Sequence, residues 1–321
     1  MQSGTVIVHY HFLCLQARTD IDVVVVPILE LLMNMKDKKM NHVYILMIIL
    51  LILSQDSSFA HNANGLILKD ITLYKKRPMH NIRLDSLMVM VLLQVALYNI
   101  HSAKDMYLHT NTLATLANIA PTLSDMFPAT CQRILHVLEK LDERLQAFNG
   151  GNETHEKEQT LEVQLLSDFL SIVLEVLNAI VVNNLTTNPT LVYCMLQKKD
   201  CIERLQNNVQ YRDMASNISI VVHFFGDQVE KEISTNQHGL TAERVQDTIV
   251  LAMRQWNGDM LQISTDLKFS YEEGMYIEYA LLLLSQDCIL YSLILLIILQ
   301  KHLMPTSLFH MSRVLHSLLH R

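Results

Sequence analysis

The sequence predicts an all-α protein built by stacking helices, and three observations carry that reading. Half of the 321 residues are hydrophobic, yet only 8 are Gly and 6 are Pro. So few turn-formers disfavour a sandwich or barrel, which needs many tight turns. Leu, Ile, Val and 17 Met dominate over aromatics, with a single Trp, a composition suited to helix-on-helix packing. Apolar residues also recur at spacings of three and four in segment after segment.

Taken in order, Val23 to Met35 is strongly apolar, with Pro27 placed near its start, where a first-turn proline is tolerated. Lys36-Asp37-Lys38-Lys39 is a polar break. Asn41 to Leu53 follows; its core VYILMIILLIL is eleven residues, about 16 Å as a helix, too short to cross a bilayer and better suited to burial. Ser54-Gln-Asp-Ser-Ser reads as a turn, and Lys75-Lys-Arg-Pro78 closes the next segment. Asp85 is placed to cap a helix from Ser86 to about Tyr98. Ser102-x-x-Asp105 has the form of a capping box, in which a Ser oxygen and a carboxylate satisfy first-turn N–H groups.

The helix opened there ends at Pro121. From Ala129 to Phe148, Ile134, Leu138, Leu141, Leu145 and Phe148 form one stripe, with Arg133, Lys140, Glu143 and Arg144 on the outer, solvated face. Asn149 to Gln159 reads as a loop. Beyond it Leu161, Leu165, Phe169, Ile172, Val176 and Ile180 align on a long helix. Asn188-Pro189 reads as a cap plus first-turn proline. Two more helices are predicted over Tyr211 to Ile233 and Thr241 to Trp256. Eight to ten helices recurring in pairs make an armadillo- or HEAT-like α-solenoid the first architecture and an irregular multi-helix array the second.

The last 45 residues differ in kind. Ala280 to Leu299 holds 13 Leu or Ile interrupted by Ser285-Gln286-Asp287. Each Leu or Ile favours insertion by about 0.5 kcal/mol and a central Asp opposes it by about 3 kcal/mol, leaving the segment near balance between a membrane helix and a buried one. The start, MQSGTVIVHYHFLCL, has neither a signal-peptide pattern nor the Met-Gly opening needed for myristoylation. The net charge of −7, without a basic block, argues against nucleic acid as a partner. Cys14, Cys131, Cys194, Cys201 and Cys288 are scattered and form no C-x-x-C pair, as expected of free thiols in a reducing compartment. Sequons at Asn152, Asn184 and Asn217 are expected by chance in such a composition.

No chemistry-bearing motif stands out. His9 and His11 share a face of an extended segment but lack companion ligands at metal-binding spacing. His302, His310, His316 and His320 match no metal motif. There is no glycine-rich phosphate loop, no G-x-S-x-G and no H-E-x-x-H. Asp142-Glu143 and Glu272-Glu273 are adjacent carboxylates that diverge on a helix. The reading is non-enzymatic, without a cofactor or metal.

On a helical wheel of DMYLHTNTLATLANIAP (Asp105 to Pro121), His109, Leu113, Leu116, Ala117 and Ala120 share one side. His109 therefore reads as a core histidine donating to a neighbouring backbone. Opposite lie Lys104, Asn111, Thr115 and Asn118 with Thr122. That polar stripe is either a solvated face or the groove-lining face of a solenoid, where Asn side chains hold a peptide backbone. Lys104, Asn111, Thr115 and Asn118 are the candidate interaction face.

Several blocks resemble the dymeclin family, in its C-terminal half. They are RTDIDVVVVPILELL (Arg18 to Leu32), YILMIILLILSQDSSF (Tyr44 to Phe59), YLHTNTLATLANIAP (Tyr107 to Pro121) and DFLSIVLEVLNAIV (Asp168 to Val181). NPTLVYCMLQKKD (Asn188 to Asp200), NISIVVHFF (Asn217 to Phe225) and LKFSYEE (Leu267 to Glu273) complete the set. The resemblance divides the chain into an unmatched segment 1–17, a helical-repeat domain 18–273 and a divergent hydrophobic tail 274–321. It implies helical repeats and no catalytic residues. It further implies a cytoplasmic protein bound peripherally to Golgi membranes, acting in Golgi organisation and vesicle trafficking with other proteins of that machinery. A membrane-anchored trafficking protein using residues 280–299 and an armadillo-type peptide or cargo adaptor are the alternatives.

Overall fold

In the computed structural model, residues 21–37, 40–73, 78–149, 156–235 and 241–262 are described. Eleven α-helices lie among them. In chain order they are α1 (Asp22–Met33), α2 (Met40–Ser54), α3 (Ser57–Gly65), α4 (Leu84–Tyr98), α5 (Met106–Ile119) and α6 (Pro128–Asn149). After these come α7 (Glu156–Asn184), α8 (Pro189–Gln197), α9 (Lys199–Asn207), α10 (Arg212–Thr235) and α11 (Ala242–Met253). The all-α class read from the sequence is the one observed.

The helices stack in two rows. One row runs α1, α4, α6, α8, α11 and the other α2, α5, α7, α10, each packed on the next. Across the rows α1 meets α2, α4 meets α5, α6 meets α7, and α8 meets α10. This is the paired arrangement of a helical-repeat array, in which each pair buries its apolar stripes against its neighbours. The buried stripe runs through the rows from Val25 and Leu29 to Ile249, by way of Leu92, Leu138, Phe169 and Phe225.

Among the described residues, length and apolarity alone give two helical stretches the character of membrane spans, Leu84–Ala103 and Leu161–Thr187. Protein already encloses 67% of the first and 61% of the second. Both are explained as core helices that are apolar on most sides because they are packed on most sides. The same holds for α2: Val43, Ile45 to Leu51 and Leu53 are buried, as expected of a buried VYILMIILLIL. Ala280 to Leu299, His9, His11, the tail histidines and Glu272-Glu273 lie outside the described residues.

Several local expectations are corrected. Between Ile67 and Arg83 the chain forms an antiparallel hairpin, β1 (Ile67–Ile71) with β2 (Met79–Arg83), pairing Leu68 with Ile82 and Asp70 with His80. Too few alternating residues flank it for period alone to reveal it. The turn read at Ser54 to Ser58 is the bend between α2, which ends at Ser54, and α3, which leaves at 96° from Ser57 and is capped by Asp56, whose Oδ1 accepts from Ser58 N at 2.8 Å. Pro27 lies in the second turn of α1, not the first, so one internal hydrogen bond is lost there. At the other end of the predicted loop, residues 156–159 belong to α7.

Asn188 stands at the N-cap of α8 with Pro189 in the first turn, as read, but its side chain makes no cap hydrogen bond. Its side chain instead joins two segments: Oδ1 accepts from Met126 N at 3.0 Å, and Nδ2 donates to Leu123 O at 3.1 Å and Asn184 O at 2.8 Å. The sequon residues Asn184 and Asn217 are likewise spent on packing. Asn184 Nδ2 donates to Pro121 O, and the buried Asn217 brackets Gln262 and Asn178. Cys131, Cys194 and Cys201 are free and buried, and burial pushes the Cys131 and Cys201 thiols up to about 12. Such thiols are inert at neutral pH.

Asp85 sits inside the first turn of α4 and is 1% exposed. Its carboxylate accepts from Asn64 Nδ2 at 2.7 Å and Ser86 N at 2.5 Å. Burial outweighs these bonds and raises its pKa from 3.8 to about 6. A raised carboxylate binds more protons folded than unfolded, so its contribution is fully present below pH 3.8 and is lost as pH rises through about 6. Stability curves measured between pH 4 and 7 are expected to show it. Over that range the native chain loses about 3 kcal/mol relative to Asp85→Asn, and parallel curves would contradict the assignment.

Candidate functional site

Lys104, Asn111, Thr115 and Asn118 do not form one open face. Asn111 and Thr115 are buried, and Asn118 is half-buried with Nδ2 donating to Ser54 Oγ at 3.1 Å, at the end of α2. Burial of this stripe is made tolerable from within the helix. Thr115 Oγ1 donates to Asn111 O and Thr112 Oγ1 to Leu108 O, both at 2.7 Å, the back-bonding available to a helical threonine. The Asn111 Nδ2 group has no hydrogen-bond partner, an unmade bond costing about 1–3 kcal/mol. Packed among α2, α4 and α7, α5 turns Asn111 and Thr115 into the array.

Lys104 belongs elsewhere. It precedes α5 in the left-handed conformation, φ 49°, so the wheel drawn for the helix does not extend to it. Its Nζ pairs with Glu162 of α7 at 3.4 Å. For the same reason Ser102 is not the cap: it lies in a π turn, Asn99–Ala103, and Asp105 caps α5, with Oδ1 accepting from Leu108 N at 2.7 Å.

His109 is buried as expected, 1% exposed, with its ring edge-on to Phe169 at 6.4 Å. Neither ring nitrogen makes a hydrogen bond of normal geometry, although the Leu165 backbone, the kind of neighbour expected, lies close enough to favour the protonated ring. Burial holds its pKa below the ordinary histidine value, against the charge of Asp168 and the Leu165 backbone.

A second surface is assembled where the sequence showed only a solvated helix face. The π turn after α4 lies beside α6 and bounds a groove of about 430 Å³. Leu97 and Ile100 from α4 and its π turn, Val137 and Leu141 from α6, and Leu166 from α7 give it an apolar floor. Its rim carries Arg133, His136, Lys140 and Arg144, spaced by three and four along α6, with His101 facing them. Arg133 Nη2 donates to the uncharged Gln94 Oε1 at 3.0 Å. Lys140 Nζ pairs with Glu143 at 2.5 Å, and Arg144 is bound to Glu162. His101 Nδ1 lies 2.7 Å from Leu97 O, and its Nε2 lies 3.0 Å from Arg144 Nη1. These contacts fit the Nδ1–H tautomer, with Nε2 accepting from the guanidinium. Reading α6 alone found the cations but missed the groove, because His101 and Leu166 arrive from other helices.

Residues 9–278 match the family described as "Dymeclin: Dyggve-Melchior-Clausen syndrome protein". The chain belongs to the dymeclin family. The matched range encloses the Arg18 to Glu273 span of the resemblance. Over 268 residues the chain is 33% identical to dymeclin of Gallus gallus, an overlap of 80% of this chain and 40% of that protein. Drosophila melanogaster dymeclin is 32% identical over 266 residues, covering 79% and 38%. For Dictyostelium discoideum dymeclin the identity is 24% over 341 residues, covering 82% and 37%. The chain thus spans about 40% of the length of dymeclins such as the chicken one. No solved structure matches it.

For His109, a depressed folded pKa means fewer protons bound folded than unfolded. Its stability contribution is present above the unfolded value of about 6.5 and is lost as pH falls below it. His109→Phe, which keeps the edge-on contact with Phe169, is expected to gain on the native chain in chemical denaturation as pH is lowered from 7 to 5; a constant difference would refute this.

Proposed function

We propose that this chain is part of a non-catalytic helical scaffold acting in Golgi organisation and secretory vesicle trafficking. The observation that carries the proposal is the family match across residues 9–278. On this reading the protein is cytoplasmic, associates peripherally with Golgi membranes and works through contacts with other proteins of the trafficking machinery. It needs no cofactor and has no nucleic-acid partner.

The two-row stack supports a scaffold reading, because repeat arrays expose long ridges and troughs while each repeat stabilises its neighbours. The enclosure of α4 and α7 by protein agrees with peripheral attachment, since their apolar surface is already used in the core. Burial of Asn111 and Thr115 disfavours an adaptor that grips a peptide through the α5 stripe.

A fluorescent fusion of the gene product is expected to concentrate at the Golgi and to wash off membranes in carbonate. Purely nuclear or mitochondrial signal would overturn the assignment, and retention after carbonate would favour the membrane-anchored alternative through residues 280–299.

A further inference from the structure

We propose that the groove between the end of α4 and α6 docks an acidic, leucine-bearing helical segment of a partner protein. The inference rests on the groove's own chemistry and stands apart from the Golgi assignment.

Local charge argues for an anionic partner. The chain carries a net −7, yet among the described residues the groove is lined by Arg133, Lys140 and Arg144 with two histidines and by the carboxylate of Glu143, with Glu162 paired to Arg144 and Glu139 near Lys140. A concentration of cations on an otherwise acidic molecule draws negative charge to that place. Both carboxylates at the rim are poor competitors for it. Glu143 and Lys140 are about half exposed, so their pair contributes little and exchanges readily for an incoming carboxylate. Glu162 is shared between Arg144 and Lys104.

The arrangement of the cations argues for a peptide over a phosphate group. A phosphate is gripped by donors that converge on one point. Here Arg133, Lys140 and Arg144 are strung along α6 over about 16 Å, a line that suits carboxylates repeating along one face of a helix. Beneath that line the half-buried Leu97, backed by the buried Ile100, Val137, Leu141 and Leu166, offers an apolar contact for a leucine of the same helix, the pattern of helix-in-groove recognition. His101 acts as a positioning residue: accepting from Arg144 while its Nδ1–H is committed to the Leu97 carbonyl, it holds that guanidinium at the groove edge.

The test is fluorescence anisotropy with the 321-residue chain and a labelled peptide of about four helical turns, bearing Glu on one face and Leu on the adjoining one. Binding is expected to weaken as salt rises and to fall about tenfold in Arg133→Gln/Lys140→Glu. The matching peptide with Gln in place of Glu should bind as weakly as that variant does to the acidic one. Lys140→Glu alone, at an exposed position, should give an intermediate loss, with circular dichroism and the thermal midpoint unchanged. Absence of binding, equal affinity for the Gln peptide, or an unaffected double variant would overturn the proposal. So would Lys140-dependent sedimentation with phosphatidylserine vesicles in a protein that ignores the peptide, because that outcome assigns the groove to a lipid surface.

Discussion

The enclosure of α4 is the constraint on which the rest of the structure depends. Twelve of its fifteen residues, Leu84–Tyr98, are buried, and α1, α3, α5 and α6 all pack on it. A helix apolar on every side has no stable exposed state, since each fully buried Leu, Val or Met contributes about 1.5–3 kcal/mol relative to exposure. Neighbours must therefore surround it, and their placement fixes the two rows. Polar groups at its start are drawn in with it and must find partners there. Asp85 binds Asn64, Thr130 Oγ1 donates to Ser86 O, and Phe127 N donates to Ser86 Oγ. These bonds tie the end of α3 and the start of α6 to the same helix end.

At the other end of α4 the chain must turn sharply to enter α5. The π turn and the left-handed Lys104 accomplish this, and Asn99 seals the junction by donating to Asp105 O and accepting from Asp105 N. Asp105 then caps α5 through one oxygen and accepts from Tyr44 Oη through the other at 2.7 Å, linking α2 to the same node. A π turn inside a helical array is commonly found at functional positions. Here it carries His101 across to α6, so the groove is a direct consequence of how α4 ends.

The match to the dymeclin family runs across residues 9–278 and so takes in every described helix of the two-row stack. The α5 stripe is a family-resembling block with many polar side chains, yet Asn111, Thr112 and Thr115 are buried in packing. The surface with ligand-like character lies one helix away, on α6, outside the blocks that carried the resemblance. The residues that carry the resemblance thus hold the array together, while the groove lies on the outer side of α6.

By itself the sequence determined that the chain is helical, where its long helices run and which residues share each stripe, since a 3.6-residue period and scarce Gly and Pro are local properties. Ile134, Leu138 and Leu141 of one stripe and Leu165, Phe169, Val176 and Ile180 of the other are core as read, while Leu145, Phe148 and Ile172 are half-buried and Leu161 is exposed; His109 is buried as read. Only the tertiary structure decided what each face meets. Asn111 and Thr115 read as an outward face because polar residues usually are one. Neighbours on several sides of α5 bury them, and threonine back-bonding lowers the cost. Asn188 read as a cap from its place before Pro189, but it binds Met126 and Leu123, far away in sequence. The groove required residues from α4, α6 and α7 to meet. Periodicity establishes which side chains lie together on one helix; which helix comes to rest against them follows from burying all the stripes at once, and that is a property of the whole chain.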